Sequence, residues 1–174
     1  IPRATNSTDA PMIESVFRVI PVERLIFFLL HPWQTWIHLT RPNNLQISSV
    51  PTIGLRRSAA EQLCQLGAAA SPAVLALVPA VGDDDDTVRE HAAAALENLG
   101  PPQPGDVAAL AEFLKHESAD VAYWAATLLG RAGHQAHEAL AELNSALRED
   151  RPLAVRQRAA WALGEIGPAA QSAL

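Results

Sequence analysis

The sequence predicts an all-α solenoid, a stack of helix-turn-helix repeats, on three observations. A thirteen-residue pattern occurs four times at spacings of 33, 33 and 34 residues, and a fixed period of this size is how stacked repeats show themselves. A second apolar stripe follows each complete copy in constant register. The composition is 49% hydrophobic and alanine-rich but only 5% aromatic, with no strand-rich segment.

Residues 1–11, IPRATNSTDAP, are polar and proline-bearing, and they read as an extended or disordered lead. Residues 12–40 are the most apolar and least repeat-like part of the chain. Pro21 and Pro32 divide them into short helical pieces. The apolar run Leu25 to Leu30 is flanked by Glu23, Arg24, His31 and Pro32, far short of the roughly 20 residues that span a bilayer. No transmembrane helix is expected there.

Three roles fit this block. As a divergent terminal unit it would cap the open end of the first repeat. As a docking segment it would offer Phe27, Phe28, Trp33 and Trp36 to a partner. As an interfacial element it would set Trp33, Trp36 and the LIFFLL run at the headgroup level of a membrane, although the basic face of such helices is missing. Residues 41–54 read as a loop, with turn signals at Pro42, Asn43 and Asn44.

The repeats occupy residues 55–174, as units 55–87, 88–120, 121–154 and an incomplete 155–174. Each opens with a helix A: LRRSAAEQLCQLG from Leu55, VREHAAAALENLG from Val88, VAYWAATLLGRAG from Val121 and VRQRAAWALGEIG from Val155. Counted from the first residue, offsets 0, 4, 8 and 11 are apolar and share one helical face. The paired alanines at offsets 4 and 5 admit a close neighbour, and the glycine at offset 12 suits the left-handed position that ends a helix.

A helix B follows at offsets 19, 22, 23 and 26: Val74, Leu77, Val78 and Val81; Val107, Leu110, Ala111 and Leu114; Leu140, Leu143, Asn144 and Leu147. Only Asn144 interrupts this stripe. Pro72 and Pro104 stand near two of the B-helix starts, where a missing backbone donor does little harm. The chain opens on Ile1 and stops at Leu174 inside the expected fourth B helix, as a fragment or a processed chain would.

The pattern V-R-x-x-A-A-x-A-L-x-x-I/L-G, met best by Val155 to Gly167 and well by Val88 to Gly100, resembles the HEAT-repeat superfamily. Within it the repeat type is similar to the short bacterial HEAT-like repeats of the phycobilin-lyase class. The resemblance covers about two thirds of the chain and implies a scaffold fold, which serves many unrelated functions. It also implies that B helices line the concave side.

Several activities of that superfamily find no counterpart. A HEAT-repeat di-iron hydroxylase carries His-Glu motifs at offsets 2 and 3, where this chain has Arg57-Ser58, Glu90-His91, Tyr123-Trp124 and Gln157-Arg158. The two His-Glu pairs present, His116-Glu117 and His137-Glu138, fall at a B-helix end and a B-helix start, and read as solvated helix ends. No chromophore pocket of a phycobilin lyase can be matched, and Cys64 reads as a small buried hydrophobe. HEAT-like DNA glycosylases rely on a cationic face, whereas thirteen basic against nineteen acidic residues leave a net charge of -6. Nucleic acid is disfavoured as a partner. No catalytic residue, metal ligand or cofactor is expected.

Arg56, Arg89 and Arg156 at offset 1 would stack along one edge, with Asp86 and Asp150 placed to cap helices or to pair with them; this ladder reads as structural. The third A helix is uncharged from Val121 to Gly130, and Tyr123 and Trp124 at offsets 2 and 3 should point away from the packed stripe. Trp161 would lie on an adjacent helix ~8–10 Å away, so Tyr123, Trp124 and Trp161 form a candidate aromatic interface. On the B side, Glu112, Glu142 and Glu149, with His116, Glu138 and the Asp83 to Asp86 run, form a candidate acidic face for a basic peptide.

These observations point to a non-catalytic scaffold that binds another protein, as an accessory subunit of a larger assembly. The alternatives are a lyase-like or chaperone-like factor holding a tetrapyrrole or other cofactor with its acceptor protein, and a peripheral membrane subunit docked through residues 12–40. No signal peptide is visible, and the single cysteine leaves the compartment unassigned.

Overall fold

A computed structural model describes residues 22–30 and 52–167. Among them lie eight α-helices and no strand: α1 (Val22–Leu30), α2 (Thr52–Leu66), α3 (Val74–Ala80), α4 (Asp86–Asn98), α5 (Val107–Phe113), α6 (Ala119–Ala132), α7 (Leu140–Ser145) and α8 (Leu153–Ile166). The A helices are α2, α4, α6 and α8; the B helices are α3, α5 and α7. Each B helix begins at offset 19, at Val74, Val107 and Leu140. The molecule is an all-α solenoid.

The apolar stripes form the core. At offset 4 Ala59, Ala92, Ala125 and Ala159 are buried, and at offset 8 so are Leu63, Leu96, Leu129 and Leu163. Offset 7 adds Ala95, Leu128 and Ala162. The first two B helices bury their whole stripe, whereas in α7 and just after it only Leu143 of the four is fully covered. Asn144 is one cause: its amide would lose water without gaining a partner if it were buried.

The A helices pack closely as α2 with α4 and α6 with α8. Offsets 1, 5 and 9 explain the second pair: Ala122, Ala126 and Gly130 put only small groups on the flank of α6 that meets α8, and all three are buried. The corresponding α4 residues are Arg89, Ala93 and Glu97, too large for equally close backbone approach. The link from α6 back to α4 is instead made by Arg131, whose Nη1 donates to the Leu96 and Leu99 carbonyls at 2.7 and 3.0 Å. Those carbonyls stand at the α4 C-terminus, where no intrahelical donor reaches them.

The glycine ending each A helix takes a left-handed φ in three copies, at Gly67 (54°), Gly133 (57°) and Gly167 (81°). Gly100 does not, against expectation. There α4 ends through Leu99 in extended conformation (φ -74°, ψ 143°), and Gly100 precedes Pro101, whose ring excludes helical geometry from the residue before it. The first A helix starts at Thr52, three residues ahead of the pattern, so Thr52–Gly54 are helical rather than loop.

Helix α1, Val22–Leu30, lies against α2, α3 and the 3-10 segment Gly67–Ala73. Leu25 and Leu29 are buried in the common core. The helical stretch Ile53–Ala80 is long and apolar enough to meet the test for a membrane span, with a most apolar window of mean hydropathy 1.6. It is not one rod, because Gly67 breaks it and turns the chain into α3.

Candidate protein-interaction site

The expected aromatic patch is only partly a patch. Tyr123 and Trp124 do not point away from the packed helices: both are half-buried against the core, edge to face, with ring centroids 6.0 Å apart. Offset 2 faces solvent in the other three copies, where Arg57, Glu90 and Gln157 are exposed, so the half-burial of Tyr123 comes from its own neighbours, the Trp124 ring and the Arg158 guanidinium. Trp161 is 38% exposed. Its ring sits over Gly130, where a Cβ would come within 2.3 Å of Cζ3.

What joins the rings across the helix pair is Arg158, a residue the pattern alone does not single out. Its guanidinium carbon lies 4.6 Å from the Tyr123 ring centroid and 5.2 Å from that of Trp161. An Nη2 hydrogen bond to the Tyr123 hydroxyl fixes its direction. The array runs from α6 to α8 as Trp124, Tyr123, Arg158 and Trp161. The signal was present in sequence: only the fourth copy has arginine at offset 3, facing the only tyrosine of the chain.

The acidic face is also rewritten. Lys115 Nζ lies 2.8 Å from Glu112 and 3.9 Å from Glu142, so one cation draws on both carboxylates. The Glu112 hydrogen bond raises the Lys115 ammonium above its ordinary range. Glu149 stays exposed at the turn after α7. Beside this cluster a cavity of about 170 Å³ is lined by Leu114, Lys115, Glu142, Ser145, Ala146 and Arg151. Arg151 Nη2 donates to the Leu114 and His116 carbonyls at 2.6 and 3.3 Å, so the walls carry two cations, Lys115 and Arg151, against the one carboxylate of Glu142.

Three residues of the run Asp83 to Asp86 make contacts within the fold. Asp83 holds Arg56, with Nη2 at 3.0 Å, and Asp85 holds Arg57 through two bonds of 2.9 and 2.6 Å. Asp85, not Asp86, caps α4, accepting from the Val88 amide at 3.1 Å. Asp86 pairs with Arg89 on its own helix. The Arg57 hydrogen bond, aided by that amide and opposed by burial, lowers the Asp85 carboxyl from 3.8 to about 2. Asp150 does not cap α8, which starts behind Pro152; it lies 3.5 Å from Arg148.

Among the remaining candidates, Phe27 and Phe28 meet edge to face at 6.3 Å on α1, with Phe28 packed on the core. Trp33 and Trp36 lie outside the described residues, as do most of residues 12–40. Cys64 is partly buried against the core. His116 and His137 are exposed, with Nδ1 near the Ser118 amide and the His134 carbonyl respectively. No group of three or more His, Cys, Asp or Glu suited to a metal occurs among the described residues.

Stacked A and B helices in constant register, carrying their contact residues on neighbouring A helices, define the class of α-solenoid repeat scaffolds. The family model described as HEAT repeats matches residues 45–121 and 107–174, and the chain belongs to the HEAT-repeat family. Repeats of this family in general mediate protein–protein interactions. No curated protein matches this chain. Among solved structures, the crystal structure of an engineered protein from the Northeast Structural Genomics Consortium is similar at a TM-score of 0.50 and 22% identity, covering 85% of this chain. The chain spans 63% of that protein's length, and the likeness is one of fold.

Proposed function

We propose that this chain is a non-catalytic scaffold within a larger assembly, and that it binds its protein partner through the surface where α6 meets α8. The observation that carries the reading is Trp161, an exposed indole held in place from beneath by Gly130 and from the side by Arg158. A large ring that loses little freedom on binding is the kind of anchor that dominates interface energies. Half-buried Tyr123 and Trp124 act as its support. Helix α1 serves as the cap of the first repeat, a reading that rests on the burial of Leu25 and Leu29.

The test is capture of interacting proteins from the native source with three chains: wild type, Trp161→Ala, and Gln157→Ala as a control on the same helix. A stoichiometric partner held by wild type and control but lost with Trp161→Ala, at unchanged helix content by circular dichroism, is the expected result. Equal capture by all three chains would reject this surface as the binding site.

A further inference from the structure

We propose that Arg158 is a carboxylate receptor, and that the partner docks an acidic side chain on it with a neighbouring apolar side chain against Trp161. This rests on the protein-binding reading above and specifies its chemistry.

Among the described residues, Arg56, Arg57, Arg89 and Arg148 each have a carboxylate within reach, and Arg131 and Arg151 are bound to carbonyls at helix ends. Arg158 has neither. Its one hydrogen bond goes to a neutral hydroxyl, that of Tyr123. A guanidinium carries five N–H donors, so most of its capacity is unspent among the described residues. What sets Arg158 apart is the combination of an unpaired charge and two aromatic rings close to it.

The stacking prepares it for a ligand. The group lies against both the Tyr123 and Trp161 rings and is tied through Nη2 to the Tyr123 hydroxyl, which restrains it and leaves its other N–H donors for a ligand. A fork fixed in this way matches the two oxygens of a carboxylate and loses little entropy on pairing. The rings add attraction to the cation without neutralising it.

Ligand charge follows from the same geometry. Arg156 is two positions along α8, about 200° around the helix, so one guanidinium acts alone here. A single positive charge suits a carboxylate; phosphate sites gather several. Beside it, the exposed part of Trp161 offers apolar surface. The complementary segment is therefore an acidic residue next to a leucine or phenylalanine.

The experiment uses the full 174-residue chain and two twelve-residue Gly/Ser peptides, one with a central Glu-Leu and one with Gln-Leu, titrated at low salt. The Trp161 indole and Arg158 Nε–H signals are followed by NMR. The Glu-Leu peptide should shift both, and replacing Glu by Gln in the peptide, or Arg158→Gln in the protein, should weaken binding by about tenfold or more, the size of a charge-assisted hydrogen bond. Arg158→Lys keeps the charge but loses the fork, and should recover only part of the affinity.

Equal binding of the two peptides, no shift at millimolar peptide, or tighter binding of a single-stranded oligonucleotide to the same signals would each overturn the proposal. The captured partner separates the two readings. Loss with Trp161→Ala but retention with Arg158→Gln keeps the protein-binding surface and rejects the carboxylate. Retention with both rejects the surface as well.

Discussion

Gly130 and Gly164 stand at the same offset in successive A helices, yet the same substitution should act oppositely on them. At Gly130 a methyl group would enter the Trp161 ring, and displacing that ring should cost about 1–3 kcal/mol. At Gly164 no described atom lies within 4 Å of the added carbon, so Gly164→Ala should stabilise by ~0.5–1 kcal/mol through helix propensity. Urea midpoints of the two variants check both signs. Asp85 gives a pH dependence at the same scale. Its folded carboxyl is lowered to about 2 by Arg57, below the unfolded value near 4. The stability it contributes is complete above the unfolded value and is lost as pH falls from about 4 through 2. The difference in melting temperature between wild type and Asp85→Asn should therefore be constant near neutrality and shrink across that acid window. A difference that does not change with pH would show that Asp85 acts through its cap alone.

Single elements owe their place to few contacts, and α1 is the clearest case. Its nine residues are too few to be helical alone, so packing of Leu25 and Leu29 on α2 and α3 holds it. Leu25→Ala should cost about 2–5 kcal/mol, the range for a buried leucine that leaves a cavity, whereas truncation of exposed Leu30 should change the urea midpoint little. If Leu25→Ala were neutral, α1 would not be the cap of the first repeat. Helix α7 illustrates the reverse. Its register was fixed by the period, but with Asn144 in the stripe and Leu140 and Leu147 only partly covered it has the weakest hold on the core.

At the scale of the whole molecule, a solenoid has no centre, and each unit is stabilised by the units beside it. Ala126 and Gly130 of α6 are covered by α8, while Ala160 and Gly164 at the same offsets of α8 are exposed. Amides of α4 and α6 should therefore exchange with solvent at least about tenfold more slowly than those of α8 in the 174-residue chain. Native-state hydrogen exchange measures this directly, and uniform protection along the chain would mean that the described units unfold as one. The pairing of α2 with α4 and of α6 with α8 places the wider junction between α4 and α6, where Arg131 bridges rather than backbone contact.

The period of 33 or 34 residues, read with the helical spacing inside it, determined the fold class, the A and B helices and nearly all core columns, because each column is a repeated one-dimensional pattern. The same repetition set the register of the B stripes, on whose first residues, Val74, Val107 and Leu140, the α-helical segments begin. It could not show Gly100 outside the left-handed region, since the cause lies in Pro101 and not in the repeat. Side-chain direction across neighbouring helices was decided by tertiary structure alone. Tyr123 and Trp124 turned inward, Lys115 settled between Glu112 and Glu142, and Asp83 and Asp85 found arginines on the preceding A helix. Arg158 became the hinge of the candidate site for the same reason. Pairing between residues about 30 positions apart depends on how two helices pack, and the spacing within either helix does not contain that information.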